Sequence, residues 1–154
     1  MSSSDRFRVQ LRDAIAKAKE APNQLVRKVI LDMGTRVVEL TPVGDATLWK
    51  HPAPAGYVGG RARANWQYGN LAGAGIPEQP LPDIDATGRA SIDRIAAGIP
   101  EQALGTVHYV VNSLPYIRRL EDGWSRQAPS GMVGITVIEF GGIVEARAQE
   151  VRQS

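Results

Sequence analysis

Cysteine is absent from this 154-residue chain. That excludes disulfides, thiolate metal sites and cysteine nucleophiles together, and it fits assembly in a reducing cytoplasm. No apolar run reaches the ~18 residues needed to span a bilayer, and the chain does not open on a basic-then-apolar leader. No membrane partner is expected. Charge of one sign is scarce too: 18 Lys+Arg against 16 Asp+Glu leave a net +2. A nucleic-acid protein would need a clustered basic face. With 43% hydrophobic and 22% charged residues, the composition is that of one globular domain over residues 1–154, able to bury ~68–70% of its unfolded surface.

Catalytic constellations are missing as well. No glycine loop ends in Gly-Lys-Ser/Thr, so nucleotide hydrolysis lacks its phosphate cradle. No Gly-x-Ser-x-Gly elbow occurs, and Ser130-Gly131 has no partner base within reach in sequence. His51 has no second ligand at metal-binding spacing, and nothing places a nucleophile beside His108. Asp83 and Asp85 lie in a Pro-rich loop, where a site would be weak and of Ca²⁺ or Mg²⁺ type at best. The expectation is no enzyme, no cofactor and no metal.

What is present reads as helices and a small sheet. Ser2-Ser3-Ser4-Asp5 offers capping groups before Phe7, Leu11, Ile15 and Ala18, one stripe of a helix. Pro22-Asn23 interrupts it, and Val26, Ile30, Met33 and Val37 mark a second, ended by Thr41-Pro42. Two helices, about 4–20 and 23–40, are predicted. Residues 42–60 hold seven Gly and Pro residues and form a long loop. Strict alternation from Arg61 to Tyr68 predicts a half-buried strand, with Ala62, Ala64, Trp66 and Tyr68 inward and Arg61, Arg63, Asn65 and Gln67 outward. An excursion over 69–105 carries one short helix, Thr87 to Ala97, with Thr87 able to cap it. Gly75-Ile-Pro-Glu-Gln79 recurs as Gly98-Ile-Pro-Glu-Gln102, a pair of turns and no solenoid. Thr106 to Val111 is a second strand.

The densest stretch runs from Asn112 to Phe140. An apolar frame of Leu114, Tyr116, Ile117, Leu120 and Trp124 is interleaved with Arg118, Arg119, Glu121, Asp122, Arg126 and Gln127. Leu114 to Asp122 reads as a short helix stopped by Gly123. Ser130 can cap a last helix from Gly131 to about Arg152, with Val133, Val137, Phe140 and Val144 at four-, three- and four-residue spacing. The β-branched run from Met132 to Phe140 argues for a strand instead, while Glu145 to Glu150 is helix-forming.

This stretch resembles a signature of tailed-phage neck proteins. Tyr116, Leu120-Glu121-Asp122-Gly123, Trp124-Ser125, Gln127-Ala128-Pro129 and Gly131-Met132-Val133 are similar to a Tyr-x-x-x-Leu-Glu-x-Gly-x-Ser-x-Gln-Ala-Pro-x-Gly-Met run. It occurs in head–tail joining, or tail-completion (tail terminator), proteins. Thr41-Pro42-Val43 and Gly60-Arg61-Ala62-Arg63-Ala64-Asn65-Trp66 resemble a second element, Thr-Pro-Val-Asp-Thr-Gly-Arg-x-Arg-x-x-Trp, here split by Gly44 to Gly59. Residues 69–105 have no counterpart.

The resemblance implies a helix over 131–152, and the elements together read as an α+β fold, with N-terminal helices and a C-terminal helix packed on a small, mainly antiparallel sheet with long loops. It implies a structural virion protein assembled in a bacterial host's cytoplasm and residing in the phage neck, where it forms a ring, commonly a hexamer. Its partners would be its own copies, adaptor or stopper proteins, the tail tube protein, and DNA passing through a basic lumen. A closing ring needs two complementary patches per subunit. One is assigned to Tyr116, Arg118, Arg119, Glu121, Trp124, Arg126 and Gln127, and the other to Arg61, Arg63 and the 42–60 loop, since Trp, Tyr and Arg dominate interfaces. Trp124 could equally be core. The alternatives are another neck or minor tail component and a stand-alone nucleic-acid-binding module.

Overall fold

A computed structural model describes residues 2–73 and 75–154. Helix α1 runs over Ser3–Leu40 and begins with a capping box, in which Ser2 and Asp5 satisfy each other's backbone N–H groups. The break expected at Pro22 does not occur, and the two predicted helices are one. Proline costs a helix ~3 kcal/mol, but the residues before it are rich in Ala, Lys and Glu. Beyond it, Asn23 is tied to the distant turn at 101–104, accepting from Ala103 N and Leu104 N and donating to the Glu101 carbonyl.

The next elements are a 3₁₀ turn (Ala46–Leu48), α2 (Arg61–Ala64), β1 (Trp66–Asn70), α3 (Arg89–Gly98), β2 (His108–Asn112), α4 (Ile117–Glu121) and α5 (Val133–Gln153). The fold is α+β: β1 and β2 form a two-stranded antiparallel sheet, with Trp66 opposite Asn112 and Asn70 opposite His108. The strand expected over 61–68 starts only at Trp66. Gly60, at φ +113°, turns the chain into a helical turn, and Asn65 folds back to donate to the Arg61 carbonyl. Asn65 is therefore buried, not outward, and its side-chain oxygen accepts from Leu81 N. Ala62, Ala64, Trp66 and Tyr68 are inward as expected.

Val37, Val38, Trp66, Tyr68, Ile95 and Met132 lead the core. Each such side chain contributes about 1.5–3 kcal/mol by leaving water. Gly34 lets α1 approach α3, since a Cβ there would lie 3.0 Å from Ile95. His108 is a packing residue: Nε2 faces the Ala103 carbonyl at 2.7 Å and Nδ1 the Tyr68 hydroxyl at 2.7 Å. A carbonyl only accepts, so Nε2 carries the proton and Tyr68 donates to Nδ1. Thr87 is not the cap of α3. Gly88 holds that position, and the Asp85 carboxylate accepts from Thr87 N and Ala90 N. The two Gly-Ile-Pro-Glu-Gln copies differ in role: Gly75 bridges to Asn70, whereas Gly98 closes α3 against the Tyr68 ring.

Helices α1 and α5 run antiparallel. Arg36 forks onto Glu139 at 2.7 and 2.8 Å, Arg147 onto Asp32 at 2.5 and 2.7 Å, and Lys28 meets Glu150. All are half-exposed, so they set register more than stability, at ~0–1 kcal/mol each. The inward face of α5 passes through Met132, Thr136 and Ile143, while Val133, Val137 and Phe140 are exposed. Three of the four residues of the stripe read from spacing are thus on the outer face, with Val144 half-buried. Because α5 ends beside Lys28, the first twenty or so residues of α1 project beyond the body for ~30 Å, and every described residue from Ser2 to Pro22 is exposed.

Candidate subunit interface around Glu121

Leu114 anchors this region in the core, and Tyr116 stands at the N-cap of α4. After α4 the chain reverses through Gly123 at φ +85°, where a Cβ would strike the Pro129 carbonyl oxygen. It reverses again at Gly131, φ +77°, where a Cβ would strike the Glu121 carbonyl oxygen. Both positions need glycine. The two turns bring the end of α4 against the start of α5.

There the Glu121 carboxylate accepts from the backbone N–H groups of Met132, Val133 and Gly134, each at 2.8 Å. These are the unpaired donors that open any helix, in a site where the helix dipole also favours negative charge. Burial alone would raise the Glu121 pKa, but the three N–H donors outweigh it and hold the carboxyl below its usual range. Glu121, and not Ser130, caps α5.

Two further residues of the expected site are braces. Gln127 pairs with the backbone of Val43 in both directions, accepting at 3.2 Å and donating at 2.9 Å. Arg63 spreads over three carbonyls: Thr41, Ala86 and, at the end of α1, Glu39. Thr41 is wholly buried and accepts from the Trp66 indole N–H at 2.8 Å while donating to the Val37 carbonyl. The residues of the split upstream element are thus in contact, with the 42–60 loop bulging away between them.

The remaining expected residues face outward. Trp124 is 73% exposed, so it is not core, and the Arg119 guanidinium lies 5.3 Å from its ring centroid. Arg118 and Arg126 are exposed and make no ion pair among the described residues. Arg118 borders a cleft of about 260 Å³ between β2, α4 and the start of α5. Half-burial raises the Tyr116 phenol, against the pull of the nearby Arg61 charge. The same surroundings include Tyr57 of the long loop, whose ring packs on Trp49 at 4.6 Å between centroids. Exposed Leu48, Trp49, Tyr57 and Val58 were visible in the sequence only as a loop containing aromatics. What sequence reading missed is that so many of them stay out of the core.

Among the described residues no group of three His, Asp or Glu is placed to hold a metal ion, and no helix is long and apolar enough to cross a membrane. Comparison with known protein families, curated proteins and solved structures finds no match.

Proposed function

We propose that this chain is a structural subunit of the neck of a tailed phage. It would complete the tail and join it to the DNA-filled head as one member of a ring, commonly of six. The observation that carries the reading is a convergence. Both segments bearing the resemblance fold onto one scaffold through Trp66–Thr41, Arg63–Thr41, Gln127–Val43 and Glu121–α5. From that scaffold they present Trp124, Arg119, Arg118, Arg126, Tyr116 and Arg61 outward.

An exposed Trp on a loop fixed by two glycine turns suits docking, because little conformational entropy is lost when it is buried against a partner. Partners are further copies of the chain, adaptor or stopper proteins, and the tail tube protein. A second reading, contact with DNA in a lumen, draws on Arg61, Arg118, Arg119 and Arg126. It requires duplex affinity that falls steeply with salt. Antibody labelling of whole particles under the electron microscope tests the assignment. Label at the head–tail joint is expected, and label elsewhere or none contradicts it.

A further inference from the structure

Every described residue of the projecting half of α1 is exposed. Phe7, Leu11 and Ile15 are 64%, 48% and 47% exposed, and they continue the stripe that Val26, Ile30 and Val37 bury in the core. Helical stability in proteins comes mostly from packing an apolar face, and this face is left in water. The arm is also basic, with Arg6, Arg8, Arg12, Lys17 and Lys19 against Asp5, Asp13 and Glu20. None of those five cations makes an ion pair among the described residues.

The opposite composition occurs at the sheet end beside the base of the arm. Leu71 donates its N–H to the Val107 carbonyl, and Leu71, Leu104 and Val107 are all at least 42% exposed. Of the carboxylates between residues 75 and 107, Asp83 and Asp93 pair with Arg94 and Arg89. Glu101, in the turn that Asn23 holds, and Glu78, three residues past the Gly75–Asn70 bridge, are exposed and make no ion pair among the described residues. The arm leaves the body at this same end, where Asn23 holds the 101–104 turn. An open groove of about 620 Å³ separates arm from turn.

We infer that the arm of one copy docks on the Leu71/Leu104/Val107 end of the next copy. Phe7, Leu11 and Ile15 cover those apolar side chains, while Arg8 and Arg12 face Glu78 and Glu101. Both halves of the contact lie at one end of the subunit, so copies related by rotation alone can link arm to body around a closed ring. The exposed Val137 and Phe140 face of α5 belongs to the far end of the α1–α5 pair, about an arm's length away, and suits this contact less. The inference deepens the ring reading above by naming its seam.

The absence of native cysteine makes the seam directly testable. Leu11→Cys and Val107→Cys are placed in separate chains, each checked for parental helix content and melting, then mixed in concentrated solution under mild oxidation. Heterologous Leu11–Val107 disulfides are expected to dominate. A Leu11–Leu11 product, meaning arm-to-arm pairing, overturns the proposal, and so does the absence of any disulfide. Phe7→Cys with Leu104→Cys gives an independent second pair. By sedimentation, Arg12→Glu should weaken self-association roughly tenfold, and Glu101→Arg in the same chain should restore it; weakening without rescue counts against the charge pairing. A seam found in a protein dispensable for particle assembly would overturn the neck reading and leave this one standing. Particles that need the protein but show no such seam would do the reverse.

Discussion

Trp66 donates its indole N–H to the Thr41 hydroxyl, joining two residues separated by a long loop and both sealed from solvent. The pair closes the scaffold from which exposed Trp124 and its neighbouring arginines project. Replacing Thr41 with Val leaves a buried N–H without an acceptor, which costs about 1–3 kcal/mol. Chemical denaturation is expected to show that loss for Thr41→Val and most of it recovered by Thr41→Ser.

Glu121 gives a prediction with a pH signature. Loss of its capping oxygens in Glu121→Ala should cost about 1–2 kcal/mol at neutral pH. Its folded-state pKa is depressed, so its contribution is fully present above the unfolded value of ~4.3 and fades as pH falls through the lower folded value. The stability gap between wild type and Glu121→Gln, followed by thermal melts, should be full at pH 7 and close as the solution is acidified below pH ~4. A gap that widens on acidification contradicts the cap.

Gly123 and Gly131 are constrained by conformation and by space together. Gly131→Ala should destabilise by more than ~1 kcal/mol, whereas Gly141→Ala, inside α5 where a Cβ would meet nothing within 4 Å, should stabilise by about 0.5–1 kcal/mol. Parallel melts of the two variants compare them directly.

Trp124 separates folding from function. Because its side chain is mostly in water, Trp124→Ala should stay within about ±0.5 kcal/mol of wild-type stability. The same variant, and Arg119→Glu, should fail to restore infectivity to particles lacking the protein, as measured by plating. Normal rescue by folded Trp124→Ala removes that side chain from the docking surface.

Much of this arrangement is legible in the sequence, and the exceptions share a cause. The capping at Ser2, the stop at Thr41-Pro42, the second strand and the short helix before Gly123 follow from local patterns, whereas the β-branched start of α5 reads locally as strand and only the resemblance implies helix there. Tertiary contacts decided the rest. Pro22 is carried through because its flanks form helix and Asn23 is held from outside. Arg61–Ala64 becomes a turn because Gly60 redirects the backbone. The start of α5 is capped by Glu121, a residue outside that helix. For the site, spacing cannot tell a brace from an exposed arginine: Arg61 and Arg63 differ by two positions, yet one faces solvent and the other holds three carbonyls. Nor does periodicity reveal whether an apolar stripe is buried, so the stripe of Phe7, Leu11 and Ile15 gave no sign of its exposure.

The most direct measurement is electron microscopy of a lysate in which this gene alone is disabled, with wild-type protein supplied in trans as the control. The neck assignment predicts full heads beside separate tails, some of irregular length, and joined particles on complementation. Intact, infectious particles without the protein would contradict it.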